Sequence, residues 1–463
     1  VKIEQIHTGC LAQEAYYIES GGEAAIVDPL RESRPYISKA EKEQAKIKYI
    51  FETHFHADFV SGHVDLASKT GAEIIYGPGA KTAYDIYEAK DGEIFNLGNI
   101  KIKVLHTPGH TMESVTYLVI DESGREHAIF SGDTLFIGDV GRPDLAQKGR
   151  ITQDDLAGYL FDSLREKIMT LPDDVIVYPA HGAGSACGKN ISKERADLLG
   201  NQKKTNYALR ADMTREEFIY EVTDGLLPPP QYFAWNIAIN KSAAAGLDEI
   251  LKKGNVPLNV EIFEAMAYHE GALVLDTRKP GDFALGHVPN AFFIGIDGSF
   301  APWAGALIPN LQQPIIFITD EGREEEVITR LSRVGYDNTL GYLKGGFEAW
   351  REAGKEIATV KSITASEFAE VYKREELNVL DVRKKSEYEV QYVENAQNLP
   401  LNYIRENMDQ VAKEKRYHIH CAGGYRSMIA ASILKSKGFH NLIDVAGGFK
   451  AITKTAIPIT ALA

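Results

Sequence analysis

Thr53-His54-Phe55-His56-Ala57-Asp58 follows directly on the short apolar run Lys48 to Glu52. Alternate side chains of an extended segment share a face, so His54, His56 and Asp58 are expected to leave the strand end together as three candidate ligands. Three similar sites follow downstream. His110 stands in Thr107-Pro108-Gly109-His110-Thr111, Asp133 in Phe130-Ser131-Gly132-Asp133-Thr134, and His181 in Tyr178-Pro179-Ala180-His181-Gly182. Each sits just past an apolar strand and is bracketed by Gly or Pro, in the strand-end loops where scaffolds carry functional groups. A single such histidine reads as a solvated loop residue. Six donors repeated at successive strand ends read as a metal site.

Working outward, the first 200 or so residues alternate strand-like and helix-like segments. Lys2 to His7, Ala15 to Glu19, Ala24 to Asp28, Ile100 to His106, Ser114 to Ile120, His127 to Ser131 and Val175 to Tyr178 are β-rich. Helical patterns run from Gly62 to Thr70, Gln153 to Met169 and Lys193 to Leu199. Many strands precede the first long helix, which predicts two packed sheets with helices outside rather than one doubly wound sheet.

These motifs resemble the metallo-β-lactamase superfamily over residues 1–245. The resemblance implies an αββα sandwich with metal at the strand ends. Dinuclear zinc members of the glyoxalase II type carry a histidine directly after the motif's aspartate, where this chain has Phe59. Phenylalanine cannot ligate, so the second metal lacks a donor unless His63 swings in, and one metal is expected. The mononuclear iron branch of the superfamily is the persulfide dioxygenases. Carried over by motif, the resemblance implies one Fe(II) per chain bound by His54, His110 and Asp133, with His56, Asp58 and His181 orienting ligands or bound water. Two histidines and one carboxylate with open positions suit an iron that must hold both a substrate and O₂.

Gly138-Asp139-Val140-Gly141-Arg142-Pro143-Asp144 resembles the segment in which persulfide dioxygenases offer an arginine to the carboxylate of a glutathione persulfide. Arg142 is therefore expected to bind substrate, a salt bridge to Asp139 or Asp144 being the alternative. After His181 the chain reads Gly182-Ala183-Gly184-Ser185-Ala186-Cys187-Gly188-Lys189, unlike the tyrosine-bearing loop of glutathione-specific members, so the identity of the thiol stays open. Cys187 is expected in a flexible loop at the metal mouth, with Lys189 favouring a thiolate that accepts or relays sulfur; a buried packing cysteine is the alternative.

A Pro-Pro-Pro run at 228–230 and the polar Lys252-Lys253-Gly254-Asn255 mark a domain exit, and beyond it lies a repeat. Leu275-Asp276-Thr277-Arg278 recurs as Leu380-Asp381-Val382-Arg383, and Gly345-Gly346-Phe347 as Gly447-Gly448-Phe449, about 100 residues on. Each copy alternates short apolar strands with helices, the pattern of a parallel sheet flanked by helices. In the second copy Tyr417-His418-Ile419-His420-Cys421 runs into Ala422-Gly423-Gly424-Tyr425-Arg426-Ser427 and then a helix. A cysteine between a strand and a helix N-terminus lies among backbone N–H groups that stabilise a thiolate or persulfide anion. Arg426 adds positive charge for an anionic donor, and Asp381 and Arg383 are expected to pair and brace the sheet.

This segment resembles the rhodanese family. The chain is thus read as a metallo-β-lactamase αββα sandwich followed by two α/β rhodanese domains, at 258–357 and 363–463. The resemblance implies Cys421 and Arg426 as catalytic, with Ala422, Gly423, Gly424, Tyr425 and Ser427 binding the sulfur substrate. The first copy has Thr319-Asp320-Glu321-Gly322-Arg323 in place of that loop and no cysteine, so it reads as a structural spacer.

Composition bounds the partners. With 463 residues, 44% hydrophobic and 25% charged, the chain has apolar side chains for several cores. A net charge of −14 disfavours nucleic acid or an anionic membrane as partner. The three cysteines, Cys10, Cys187 and Cys421, make a poor disulfide framework. Val1-Lys2-Ile3-Glu4-Gln5 does not open a signal peptide, so the expected location is cytoplasmic. The resemblances together imply a persulfide dioxygenase that makes sulfite from a low-molecular-weight thiol persulfide and O₂, joined to a sulfurtransferase exchanging sulfur between sulfite and thiosulfate. A dinuclear zinc thioester hydrolase of the glyoxalase II type with accessory rhodanese domains, and a sulfur-carrier or sensing scaffold, are the alternatives. Oligomeric state is open; a homo-oligomer is compatible with the sequence.

Overall fold

The computed structural model describes residues 1–146 and 151–461. The chain forms two compact units, Val1–Glu249 with Leu331–Gly335, and Ile250–Arg330 with Tyr336–Ala463.

In the first unit, β1 (Lys2–Thr8), β2 (Gln13–Ser20), β3 (Glu23–Val27), β4 (Lys46–Phe51), β5 (Glu73–Tyr76) and β6 (Tyr87–Glu88) form one six-stranded sheet in sequential order. The second sheet is made of β7 (Ile94–Leu97), β8 (Ile100–His106), β9 (Val115–Ile120), β10 (Glu126–Gly132), β11 (Ile176–Pro179) and β12 (Asp197–Leu198), again in sequential order. Period-2 alternation sorts their side chains into layers. Tyr16 and Ile18 of β2 share a buried core with Val104, Tyr117 and Phe130 of the opposite sheet, while the intervening Ala15 and Tyr17 pack outward with Tyr36, Ala40 and Leu66 of the helices Arg34–Lys42 and His63–Thr70. Leu118, Ile129 and Val177 face outward from the second sheet onto Leu160, Leu164 and Phe218 of helices. The result is the four-layer arrangement expected of the resemblance, with both faces of each sheet buried.

Two helical expectations shift. The Gln153 stretch is α-helical to Ser163, opened by a Thr152–Asp155 capping box, and then widens into a π-turn over Leu164–Ile168. Lys193 to Leu199 is not a helix. Asp197 and Leu198 pair with β11, and the Asp197 carboxylate accepts from the Leu198 N–H and from the side chains of Asn201 and Gln202, so the helix starts only at Leu199. Sheet pairing overrides local propensity there. Among the described residues no helix is long and apolar enough to cross a membrane.

The second unit contains the repeat as two parallel sheets of identical order. The first runs β13 (Pro257–Leu258), β17 (Thr339–Leu343), β16 (Ile315–Ile318), β14 (Leu273–Asp276), β15 (Phe292–Phe293) across the sheet. The second runs β18 (Lys361–Thr364), β23 (Leu442–Ala446), β22 (Tyr417–His420), β19 (Asn378–Asp381), β21 (Gln397–Asn398), with a small antiparallel pair β20 (Tyr392–Val393) and β24 (Ile459–Thr460) beside it. Asp276 and Asp381 end β14 and β19 and hold Arg278 and Arg383 through two guanidinium nitrogens each, the Asp381–Arg383 pair being the expected brace. Leu462 and Ala463, the last residues of the expected 363–463 domain, lie outside the described residues.

Candidate metal centre and sulfur cradle

The Thr53–Asp58 segment is not a strand continuation but an irregular, wholly buried loop beyond β4. Its donors therefore split instead of sharing one face. His54 Nε2 lies 3.8 Å and His110 Nε2 3.3 Å from Asp133 Oδ2, and ligand atoms of the three converge within 4.8 Å. Each histidine is held by its other nitrogen. His110 Nδ1 donates to the Arg142 carbonyl at 2.9 Å, and His54 Nδ1 lies 3.0 Å from Thr53 Oγ1, whose own proton goes to Asp28 Oδ2. Such partners fix the tautomer that turns an Nε2 lone pair toward a metal. Burial, reinforced by His56, His110 and His181, holds His54 well below the usual histidine value, so it stays neutral and able to ligate.

His56 behaves oppositely. Its Nε2 lies 3.0 Å from Asp28 Oδ1 and 3.4 Å from Glu52 Oε2. Burial opposes its charge, yet the two carboxylates outweigh it and raise its pKa well above normal. Glu52 is held down at about 2 because His63 and His56 outweigh its own burial. His56 also falls in a second group of converging donor atoms, with Asp58 and His181. His63 does not swing in: Nδ1 is 3.3 Å from Glu52 Oε1 and Nε2 is 2.5 Å from Tyr84 Oη. Asp28 and Glu52, which the sequence reading missed, are the carboxyl groups of this layer, and burial raises the Asp28 pKa. Asp28 takes a left-handed φ of 48° just past β3 and receives the Thr53 N–H as well as its hydroxyl. The signal available for it was its own strand-end position, like that of the histidines.

On the other flank His181 Nε2 lies 3.4 Å from Asp133 Oδ1 and 3.5 Å from Asp58 Oδ1. Both Asp133 oxygens, both His181 nitrogens and Asp58 Oδ1 are buried with no hydrogen-bond partner. Converging orphaned acceptors of this kind fit a bound cation, whose charge would satisfy them together.

Cys187 is 1% exposed, and its sulfur joins Asp133 and His181 in a cluster of ligand atoms within 4.8 Å. The expectation for Lys189 is corrected: its ammonium donates to the Glu221 and Asp224 carbonyls, and burial with Asp58 and Asp133 pushes the Cys187 thiol well up. Arg142 is likewise corrected. Its fork is filled by Asp144, Nε to Oδ1 at 2.6 Å and Nη2 to Oδ2 at 2.7 Å, and further protons go to the Ala186 and Leu227 carbonyls. The salt-bridge alternative is what the fold holds, and a substrate carboxylate would have to displace Asp144.

Cys421 follows β22 and is 1% exposed. Gly424 N–H donates to its sulfur at 3.1 Å, from a left-handed φ of 99° that glycine adopts freely, and the helix Tyr425–Ser436 begins there. Ala422 and Gly423 form the accessible lip. Three neighbouring side chains have partners within the fold. Arg426 is clasped by Glu387 at 2.6 and 2.8 Å, which offsets its charge; Ser427 Oγ donates to Asp444 Oδ1 at 2.7 Å; Tyr425 Oη donates to the Gly295 carbonyl of the first copy at 2.7 Å.

Residues 8–181 match the Metallo-beta-lactamase superfamily, and 259–353 and 364–455 each match the Rhodanese-like domain. A probable hydroxyacylglutathione hydrolase, glo2, of Schizosaccharomyces pombe is 38% identical over 160 residues, 34% of this chain and 58% of that protein. The mitochondrial persulfide dioxygenase ETHE1 of Bos taurus is 30% identical over 223 residues, 47% of this chain and 78% of that protein. A crystal structure of a metallo-beta-lactamase from Staphylococcus aureus subsp. aureus COL aligns with TM-score 0.64 at 31% identity, over 74% of this chain and 98% of that one. The chain thus spans less than two thirds of the yeast hydrolase and more of the other two. Sheet order, strand-end donors and these matches agree: the chain belongs to the metallo-beta-lactamase superfamily and carries two rhodanese-like domains behind that fold.

Proposed function

We propose that this chain is a persulfide dioxygenase with a built-in sulfurtransferase. The observation that carries the reading is the convergence of His54, His110 and Asp133, with Phe59 standing where a further donor of the second metal would be. His54, His110 and Asp133 would hold one Fe(II), which when bound supplies open positions where a sulfur anion and O₂ meet. The overall reaction takes a thiol persulfide anion, O₂ and water to the free thiol, sulfite and a proton, the terminal sulfur being oxidised and O₂ reduced.

The chain's own residues do the positioning. Thr53 and the Arg142 carbonyl keep both imidazoles aimed. Asp58 and His181 lie beside Asp133 where water and the released proton need partners, and fully buried Phe59 and Phe136 exclude bulk solvent. In the second rhodanese copy the Cys421 thiolate attacks the terminal sulfur of a persulfide, breaking its S–S bond and releasing the thiolate. Sulfite then takes that sulfur to give thiosulfate and restores the Cys421 thiolate. Gly424 N–H and the following helix N-terminus stabilise the anionic sulfur in both states. Covalent fusion raises the effective concentration of sulfite at its acceptor.

Anaerobically iron-loaded protein should consume oxygen with a thiol persulfide. His110→Ala should abolish uptake, and Cys421→Ser should leave sulfite accumulating in place of thiosulfate. Oxygen uptake that survives His110→Ala would sink the assignment. A second reading, a dinuclear zinc thioester hydrolase, draws support from the 38% identity to a hydroxyacylglutathione hydrolase and from the further donor group His56, Asp58 and His181. Two zincs per chain with thioester hydrolysis and no oxygen uptake would select it.

A further inference from the structure

The first rhodanese copy, expected to be a spacer, retains an open site at the position of the lost cysteine. In the first copy Asp276 pairs with Ile318, and in the second Asp381 pairs with His420, so Thr319 and Cys421 are equivalent, each one residue past its central strand. The flanking elements agree. Gly345 and Gly346 have φ of 79° and 62°, Gly447 and Gly448 of 78° and 56°, and Arg278 and Arg383 lie over Phe347 and Phe449 at 4.4 and 3.8 Å.

What differs is how the strand-end side chain is satisfied. Cys421 receives the Gly424 N–H, whereas Thr319, 7% exposed, has a buried hydroxyl with no hydrogen-bond partner. An unpaired buried hydroxyl is costly, so its retention on a cavity wall points to a ligand that completes it.

The cavity that Thr319 lines is about 740 Å³, within the range of small-molecule sites. Its lining holds five carboxylates, Asp282, Asp320, Glu321, Glu324 and the Arg351-paired Glu348, besides the apolar surfaces of Phe347 and Ile357. The cations nearby are mostly engaged. Arg278 is clasped by Asp276 and Arg351 by Glu348, while Arg323 pairs with Asp297 and Glu326 and does not line the cavity. Lys344 is the remaining cation of the lining. A pocket so charged repels the anionic sulfur species that suit Cys421 and attracts the opposite sign.

We propose that the Thr319 cavity binds a small organic cation, an ammonium or guanidinium on a short apolar stem. The carboxylates meet the charge, the Thr319 hydroxyl accepts one N–H, and Phe347 and Ile357 receive the stem.

Calorimetric titration of the full chain at physiological ionic strength with butylammonium and butylguanidinium tests this. Saturable binding at one site per chain is expected for at least one probe. Thr319→Val, nearly isosteric, should weaken it severalfold, and the Asp320→Asn, Glu321→Gln double variant roughly tenfold or more. Both acidic residues are exposed, so the double variant should fold, as an unchanged thermal melt would show. Cys421→Ser should bind as the wild type does. Absence of saturable binding by both probes overturns the proposal, and so does binding that Thr319→Val leaves unchanged, since that would reduce the site to a charged surface.

Discussion

The carbonyl of Arg142 accepts the Nδ1 proton of His110 at 2.9 Å, so the residue expected to grip a substrate instead orients a candidate metal ligand through its backbone. Its guanidinium, clasped by Asp144, holds that carbonyl in place. Arg142→Lys keeps a charge but loses the fork. It should lower metal retention by roughly tenfold to a hundredfold and reduce kcat, with the persulfide KM little changed. A rise in KM alone, with normal metal content, would restore the substrate-binding role. Gly141→Ala should act on the same centre, because a Cβ there would stand 2.0 Å from the Asp133 carbonyl and 3.0 Å from His110 Nδ1. Folded but metal-poor protein is the expected result.

Glu387 sets how much positive charge Cys421 sees, since it clasps Arg426 with both oxygens. Glu387→Gln should free that charge for anions and lower the thiosulfate KM roughly threefold at low ionic strength, a gain that disappears in high salt. Steady-state cyanide-dependent turnover at two salt concentrations measures it. An unchanged or higher KM at low salt would mean that Glu387 instead holds the guanidinium where the donor needs it.

Tyr425 ties the start of the Cys421 helix to the first copy through its bond to Gly295, and its ring lies against Gly298. Tyr425→Phe should cost about 1 kcal/mol of stability. Gly298→Ala should cost more, about 1–3 kcal/mol, because the new methyl would sit 2.3 Å from Tyr425 Cζ. Denaturant midpoints of the full chain give the ranking, and the reverse order would show that the ring is free to move away.

His287 is buried, stacked on Phe283 at 3.8 Å, and donates Nδ1–H to the Phe283 carbonyl. Burial, only partly offset by that bond, depresses its pKa to about 4 from 6.5. The unfolded chain therefore binds the proton first as pH falls. The stability from neutral His287 is complete above 6.5 and is lost progressively down to about 4. Between pH 7.5 and 5 this group should remove about 2 kcal/mol. His287→Gln should flatten that part of the pH dependence, and an identical slope in the variant would refute the assignment.

Much of this architecture is local in origin and was therefore legible without tertiary information. Strands such as Ile100–His106 announce themselves by apolar alternation, the repeat by recurring Asp-x-Arg and Gly-Gly-Phe signatures, and Cys421 by its place between a strand and a glycine-rich turn. The donors at positions 54, 110 and 133 were legible for the same reason, since strand ends carry them. Which donors act together was not. His56 converges both with Asp28 and Glu52 and with Asp58 and His181, Arg142 had two carboxylates within reach along the chain and packing selected Asp144, and Lys189 turned to backbone carbonyls, leaving Cys187 in a desolvated, acidic setting. The equivalence of Thr319 with Cys421, and the unpaired hydroxyl it leaves, emerge only from sheet register. A sequence determines periodicity and the inventory of chemical groups. Protonation, ion pairing and access depend on distances between groups far apart in the chain and on the loss of water around them, and those exist only once the sheets have packed.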